Sequence, residues 1–207
     1  MFFVKQNLHK NIVCNIKGCY ISDMTKKTHI LNAAAKVFFE RGVRKSKFGD
    51  IAKEAGISRP TLYAAFEDKN AIMVATIHHI SEQFLQTIRE QIADKVTVED
   101  RLTLFTNVAI IEPYKLIQQS EDTADILSGH NEAGRKAMRE TLELKSIFLK
   151  EILTPFFNEA HKDDDILEHC RTFVLASSGL KNTVANDGEL QRRLVVLTGL
   201  FLQYFKG

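Results

Sequence analysis

Residues Ile51–Phe66 read IAKEAGISRPTLYAAF, two helix-sized pieces on either side of a glycine. The apolar positions are Ile51, Ala52, Ala55, Ile57, Leu62 and Phe66, and Gly56 lies between the pieces, which is the outline of a helix-turn-helix. Ala52 is small enough to let the second helix cross close to the first. Gly56 takes the positive φ of a tight turn at no steric cost. Ser58 is placed to cap the second helix, with Arg59 and Pro60 at its first two positions, where backbone N–H groups have no intrahelical partner. Pro60 therefore breaks no hydrogen bond, and its fixed φ stiffens the end that such a helix inserts into a DNA groove. A first-turn proline is common in helices of every kind, so the weight rests on the combined pattern.

On the N-terminal side, MTKKTHILNAAAKVFFERG places Ile30, Ala33, Ala34, Val37 and Phe38 on one helical face, closed by Gly42. Residues 1–23 show no clean periodicity. Met24 is a natural start, so residues 1–23 are expected to be an extension, 24–70 a DNA-binding domain and 71–207 a second domain. On the C-terminal side the pattern predicts helices near 70–93, 99–111, 114–127, 131–160, 164–183 and 188–205. The expected breaks are Glu112-Pro113, Ser128-Gly129, Asp163 to Asp165 and Asn186 to Gly188, with Pro155 kinking or ending its helix.

The 207 residues are 44% apolar and 26% charged, with only 10 Gly and 3 Pro, a composition that favours an all-α soluble protein. Cys14, Cys19 and Cys170 form neither a disulfide framework nor a zinc pattern, which points to a reducing, cytoplasmic setting. No apolar run approaches the roughly 20 residues that cross a bilayer. Residues 1–70 hold 13 Lys or Arg against 6 Asp or Glu, whereas the remainder holds 15 against 20. A basic front and an acidic back assign the front to a polyanion.

From Lys26 to Ile72 the chain resembles the tetracycline-repressor (TetR) family of bacterial transcriptional regulators. The resemblance rests on FFERG, FGDIAKEAGIS and TLYAAFEDKNAI, and in particular on Ile51-Ala52, Ala55-Gly56-Ile57, Thr61-Leu62-Tyr63, Phe66 and Lys69. It implies that Arg59, Pro60 and Thr61 read base edges, Arg59 by a bidentate contact to guanine, and that Tyr63 and Lys69 hold phosphates. Ser46, Lys47 and Ser58 belong to the same implied surface, with Arg44 and Lys45 in the loop before it. Gly49 and Ala65 depart from the family, which often has longer side chains there. Taken alone, Arg59, Lys47 and Lys69 would read as a solvated charged face and Tyr63 as a half-buried aromatic.

The resemblance also implies a homodimer with a C-terminal effector domain. Candidate effector contacts are Phe84, Phe105, Tyr114, Met138, Phe148 and Phe156. Phe173, Val174, Leu180, Leu190, Leu194, Leu197 and Phe201 recur at helical spacing on the last two helices. They form either a four-helix dimer interface or part of the protomer core. His78 and His79 are adjacent and cannot share a helical face as a metal pair, while His161, His169 and Cys170 are a weak metal signal; no metal or cofactor is expected. The leading expectation is a repressor that binds palindromic double-stranded DNA and is released by a small-molecule effector. The alternatives are a DNA-binding regulator or nucleoid factor controlled by a protein partner and, more remotely, a helical enzyme containing a helix-turn-helix. No nucleophile–base pair or phosphate-cradling loop supports the enzyme.

Overall fold

Short polar side chains open most of the helices of this chain. The computed structural model describes residues 23–118, 131–157 and 163–203. In order they form α1 (Asp23–Lys45), α2 (Phe48–Glu54), α3 (Arg59–Ala65), α4 (Lys69–Gln91), α5 (Val98–Thr106), a π-helical turn (Asn107–Ile111), α6 (Glu112–Ile117), α7 (Glu132–Leu153), a 3-10 turn (Thr154–Phe156), α8 (Asp163–Leu180) and α9 (Asp187–Leu202). Ser58 Oγ accepts from the Thr61 N–H at 3.2 Å, Asp68 Oδ1 from Ala71 at 2.7 Å, Thr97 Oγ1 from Asp100 at 3.1 Å, Asn131 Oδ1 from Gly134 at 2.9 Å and Asn186 Oδ1 from Glu189 at 2.9 Å. Each bond satisfies an N–H that a helix start leaves without a partner, about 1 kcal/mol per cap.

The all-α architecture is the one expected, and four boundaries are sharpened or changed. Gly42 leaves helical geometry at φ 72, ψ 158, so it interrupts α1 and does not close it. Pro155 ends α7 in the 3-10 turn. The expected break at Glu112-Pro113 is absent: α5 runs through the π-turn directly into α6. Pro113 sits at the start of α6, where widening of the backbone accommodates a residue without an N–H. The acidic run at 163–165 is the beginning of α8. Residue 23 of the expected 1–23 extension opens α1; residues 1–22, the 119–127 part of the expected 114–127 helix, the Ser128-Gly129 break, residues 158–160 of the expected 131–160 helix and residues 204–205 lie outside the described residues.

Two apolar clusters organise the packing. The head cluster gathers Ile30, Val37, Phe38, Ile51, Leu62 and Phe66 with Ile72, Met73 and Ile77 from α4 and Ala137 from α7. The body cluster gathers Ile80, Phe84 and Ile88 from the same α4, Phe148, Leu149 and Ile152 from the same α7, and Phe105, Tyr114, Phe173, Leu190 and Leu194. Residue 70 is thus no boundary in the packing. Helices α4 and α7 each bury their first turns in the head and their later turns in the body. Asn131 Nδ2 donates to Asn70 Oδ1 at 2.7 Å, and His78 Nε2 lies 3.0 Å from Glu140 Oε2, so polar contacts follow the same route.

Candidate nucleic-acid interface

Helix α2 ends as its sequence dictates. Gly56 has φ 62, its N–H donates to Lys53 O at 3.1 Å, and the Ile57 N–H donates to Ala52 O at 3.0 Å. This is the paired closure that a left-handed residue makes at a helix C-terminus. His29 Nε2 lies 3.0 Å from Ala55 O, which ties the same end to α1. The Lys47 N–H donates to Asp50 Oδ2 at 2.9 Å, and Arg41 pairs with Asp50 at 3.3 Å. Ile51, Ala52 and Leu62 are buried, so the α2–α3 crossing is fixed from within.

The outer side of α3 is what remains. Arg59, Pro60, Tyr63, Ala64 and Ala65 are exposed, and Thr61 is half-buried. Thr61 Oγ1 is 2.7 Å from Ser58 Oγ, so both hydroxyls are engaged in the cap and the first turn is rigid. The Tyr63 ring rests on Phe48 with centroids 4.5 Å apart and remains 56% exposed, a stacked platform whose hydroxyl end reaches solvent.

Arg59 lies against α2 at Gly49. A Cβ on residue 49 would stand 2.6 Å from Arg59 Nη2 and 2.9 Å from Nε. The departure at Gly49 is therefore the space that the Arg59 guanidinium occupies. The sequence marks the missing side chain but not the one that fills its place, because the two residues meet only when α3 crosses α2.

Lys69 Nζ donates to Arg44 O at 3.1 Å, and its partial burial pushes its pKa down. It thereby clamps the start of α4 to the exposed Arg44–Lys45 segment, with donors left over. Ser46 differs from expectation. It is buried, and its Oγ donates to Gly42 O at 2.6 Å, filling a carbonyl exposed where α1 breaks. It shapes the loop and presents nothing to a ligand. Arg44, Lys45 and Lys47 are exposed.

In the body, Phe84, Phe105, Tyr114 and Phe148 share one cluster, with Phe156 packed on its edge beneath Arg101, whose guanidinium is 5.0 Å from the ring. Met138 is a correction: it packs on the head cluster, because α7 crosses from head to body between Ala137 and Lys145. The last two helices settle the open choice differently for different residues. Phe173, Val174, Leu190, Leu194 and Phe201 are buried in the protomer core, which removes them from an interface. Leu180 and Leu197, with Ala176, Val196 and Leu200, line an outward groove of about 480 Å³. Leu175, Val195 and Val196 are exposed beside it, Val195 by 72%. The outward apolar stripe is rotated from the inward one, and both satisfy helical spacing.

His79 pairs with Asn32 Oδ1 at 2.7 Å, and burial lowers its pKa. Among the described residues no His, Cys, Asp and Glu cluster fits a metal, and no helix is long and apolar enough to cross a membrane. His161 lies outside them. Sequence reasoning missed Lys145, which α7 buries in the body. The signal was present: Ala137, Thr141, Lys145, Phe148 and Ile152 fall on one helical stripe, and one of them is a cation.

Residues 30–76 match the profile of the bacterial regulatory proteins of the tetR family. The chain is 33% identical over 79 residues to the fatty acid metabolism regulator protein of Bacillus subtilis, covering 38% of this chain and 41% of that one. It is 27% identical over 90 residues to the transcriptional activator FasR of Mycolicibacterium smegmatis, covering 44% and 40%. The matched segment thus spans less than half of either relative. Over 86% of this chain and 96% of the other, the fold resembles the crystal structure of the transcriptional regulator FadR from Bacillus subtilis in complex with stearoyl-CoA, at 24% identity and a TM-score of 0.50. A TetR transcription regulator from Haloarcula marismortui superposes with a TM-score of 0.62 at 18% identity over 85% and 96% of the two chains.

Proposed function

We propose that this chain, whose residues 30–76 match the tetR family of bacterial regulatory proteins, is a cytoplasmic homodimeric repressor that leaves a palindromic operator when a small molecule enters its body. The observation that carries the DNA-binding part is the first turn of α3: a capped, proline-stiffened helix start with Arg59 exposed on the crossing of a helix-turn-helix. Arg59, Pro60 and Thr61 read bases; Tyr63, Lys47, Lys69, Arg44 and Lys45 take phosphates. The outward groove on α8 and α9 supports the dimer, since its apolar residues are covered by a second copy of the same two helices. Two copies present two α3 helices to successive major-groove faces, and the effector favours a spacing that no longer fits them. The stearoyl-CoA held by the FadR of Bacillus subtilis supports an effector with a long apolar part.

Selection of bound sequences from a random DNA pool at fixed salt tests this reading, with an inverted repeat as the expected result. Arg59→Ala is expected to lose about 1–3 kcal/mol of discrimination at one base pair of each half-site. Lys69→Ala is expected to weaken binding to every sequence and to flatten its salt dependence. An unaltered sequence preference in Arg59→Ala removes Arg59 from the reading head, and a pool without enrichment removes the function itself.

A further inference from the structure

Lys145 is only 6% exposed, on the interior stripe of α7. A buried ammonium demands compensation, and here a backbone carbonyl supplies it: Lys145 Nζ donates to Ala109 O at 3.0 Å. That oxygen lies in the π-turn, and Pro113, four residues on, has no N–H to return to it. No carboxylate pairs with Lys145 among the described residues. A second cation, Lys181, follows the end of α8, and its charge acts on Lys145. Burial pushes Lys145 down to about 7 and Lys181 to about 8.

Three hydroxyls in these same elements are buried without a hydrogen-bond partner: Tyr114 Oη, one turn beyond Ala109, and the Oγ atoms of Ser177 and Ser178, one turn before Lys181. Buried polar atoms are rarely left so. Tyr114 shares its apolar cluster with Phe84, Phe105, Phe148 and Val174. A buried amino group held by a carbonyl, with the half-buried Lys181 acting on it and partnerless hydroxyls in the elements around it, lacks one thing, an anionic acceptor.

We propose that Lys145, with Tyr114 and Ser177, is the headgroup site for an effector that is a carboxylate with an apolar body. This rests on the reading of the chain as an effector-controlled regulator. The carboxylate takes the Lys145 ammonium from the Ala109 carbonyl, and the pull acts on α7. That helix is also the one that enters the head cluster at Ala137 and holds Asn70 through Asn131. Occupancy is thereby converted into a displacement at the base of the DNA-binding helices.

The test compares decanoate and 4-phenylbutyrate with their methyl esters, by thermal shift and by calorimetric titration of the full chain. The wild type is expected to bind at least one acid about tenfold or more tightly than its ester. Lys145→Met keeps the fold and brings the ratio close to one, whereas Lys145→Arg retains the preference. Tyr114→Phe, which removes only the partnerless hydroxyl, lowers acid affinity severalfold. Equal binding of acid and ester, an acid preference that survives in Lys145→Met, or no binding of either acid overturns the proposal. Operator binding is measured on the same preparations: a protein that binds DNA but ignores carboxylates refutes this inference alone, and one that binds no DNA refutes the reading beneath it.

Discussion

The head and the body are built from the same amphipathic helices, two of which they share, yet they treat positive charge in opposite ways. In the head, Arg44, Lys45, Lys47 and Arg59 stand in solvent around a core with no charged member. Long-range attraction to a polyanion needs charges outside, where they are cheap to keep. In the body, Lys145 is held inside at 3.0 Å from a carbonyl and stays there at an energetic cost. Exposed cations serve a ligand of any sequence and size; a buried one serves a ligand small enough to enter and defined enough to replace its partner.

If the shared helices couple the two regions, damage in the body must reach the head. Phe105 is fully buried in the body cluster. Phe105→Ala is expected to cost about 3–5 kcal/mol of stability. Chemical denaturation followed by circular dichroism of the whole chain, and by hydrogen exchange of the head amides, is expected to show one shared transition. Two separated transitions would make α4 and α7 mere connectors and break the coupling.

The buried cation leaves a signature in pH. With a folded pKa near 7 against 10.5 unfolded, Lys145 is neutral in the folded state and protonated in the unfolded state between those values. The unfolded state then binds more protons, so stability rises with pH from about 7 upward, by up to about 1.4 kcal/mol per pH unit for each such group. Lys181 adds the same sign above about 8. Cys170, pushed up to about 12 by burial from 9.0, acts oppositely above pH 9, because there the unfolded thiol ionises first. Lys145 therefore acts alone between about pH 7 and 8, Lys181 joins it above 8, and Cys170 opposes both only above 9. Urea denaturation is expected to show the rise in the wild type and a shallower one in Lys145→Met. An unchanged slope in the variant would place Lys145 in solvent.

How much of each region was legible follows from the same difference. The turn at Gly56, the Ser58 cap and the first-turn Pro60 are set within a few residues of one another, and the sequence displays them in order. The body joins Ala109 to Lys145, 36 residues apart, and its outer ion pair joins Glu143 of α7 to Arg171 of α8, 28 residues apart. Helical spacing cannot tell Leu194, which faces the core, from Val195 and Val196, which face out, until the neighbouring helices are in place. Pro113 misled for a related reason: a proline reads locally as a break, while a π-turn and a distant lysine accommodate it.

The smallest expected effect tests whether the head, too, depends on contacts that local pattern hides. Gly49 is helical and has no need of a positive φ, so an alanine there is compatible with the backbone. The atoms nearest its Cβ all belong to the end of the Arg59 side chain, which can swing away. Gly49→Ala is therefore expected to leave thermal stability within about 0.5 kcal/mol of the wild type, as for a surface change that creates no cavity or unpaired group. What changes is the resting position of the guanidinium. If α2 holds Arg59 ready for a base edge, the variant loses operator affinity severalfold, and loses it at the base pair that Arg59→Ala affects. Measured affinities for the operator and for single-base variants separate the outcomes. A uniform loss across all sequences would mean that the new methyl disturbs backbone contacts, and no loss would mean that Arg59 finds its base from either position. Only the position-specific loss makes the Gly49–Arg59 contact part of sequence reading, and then even the most legible region of this chain has one determinant written in the crossing of two helices.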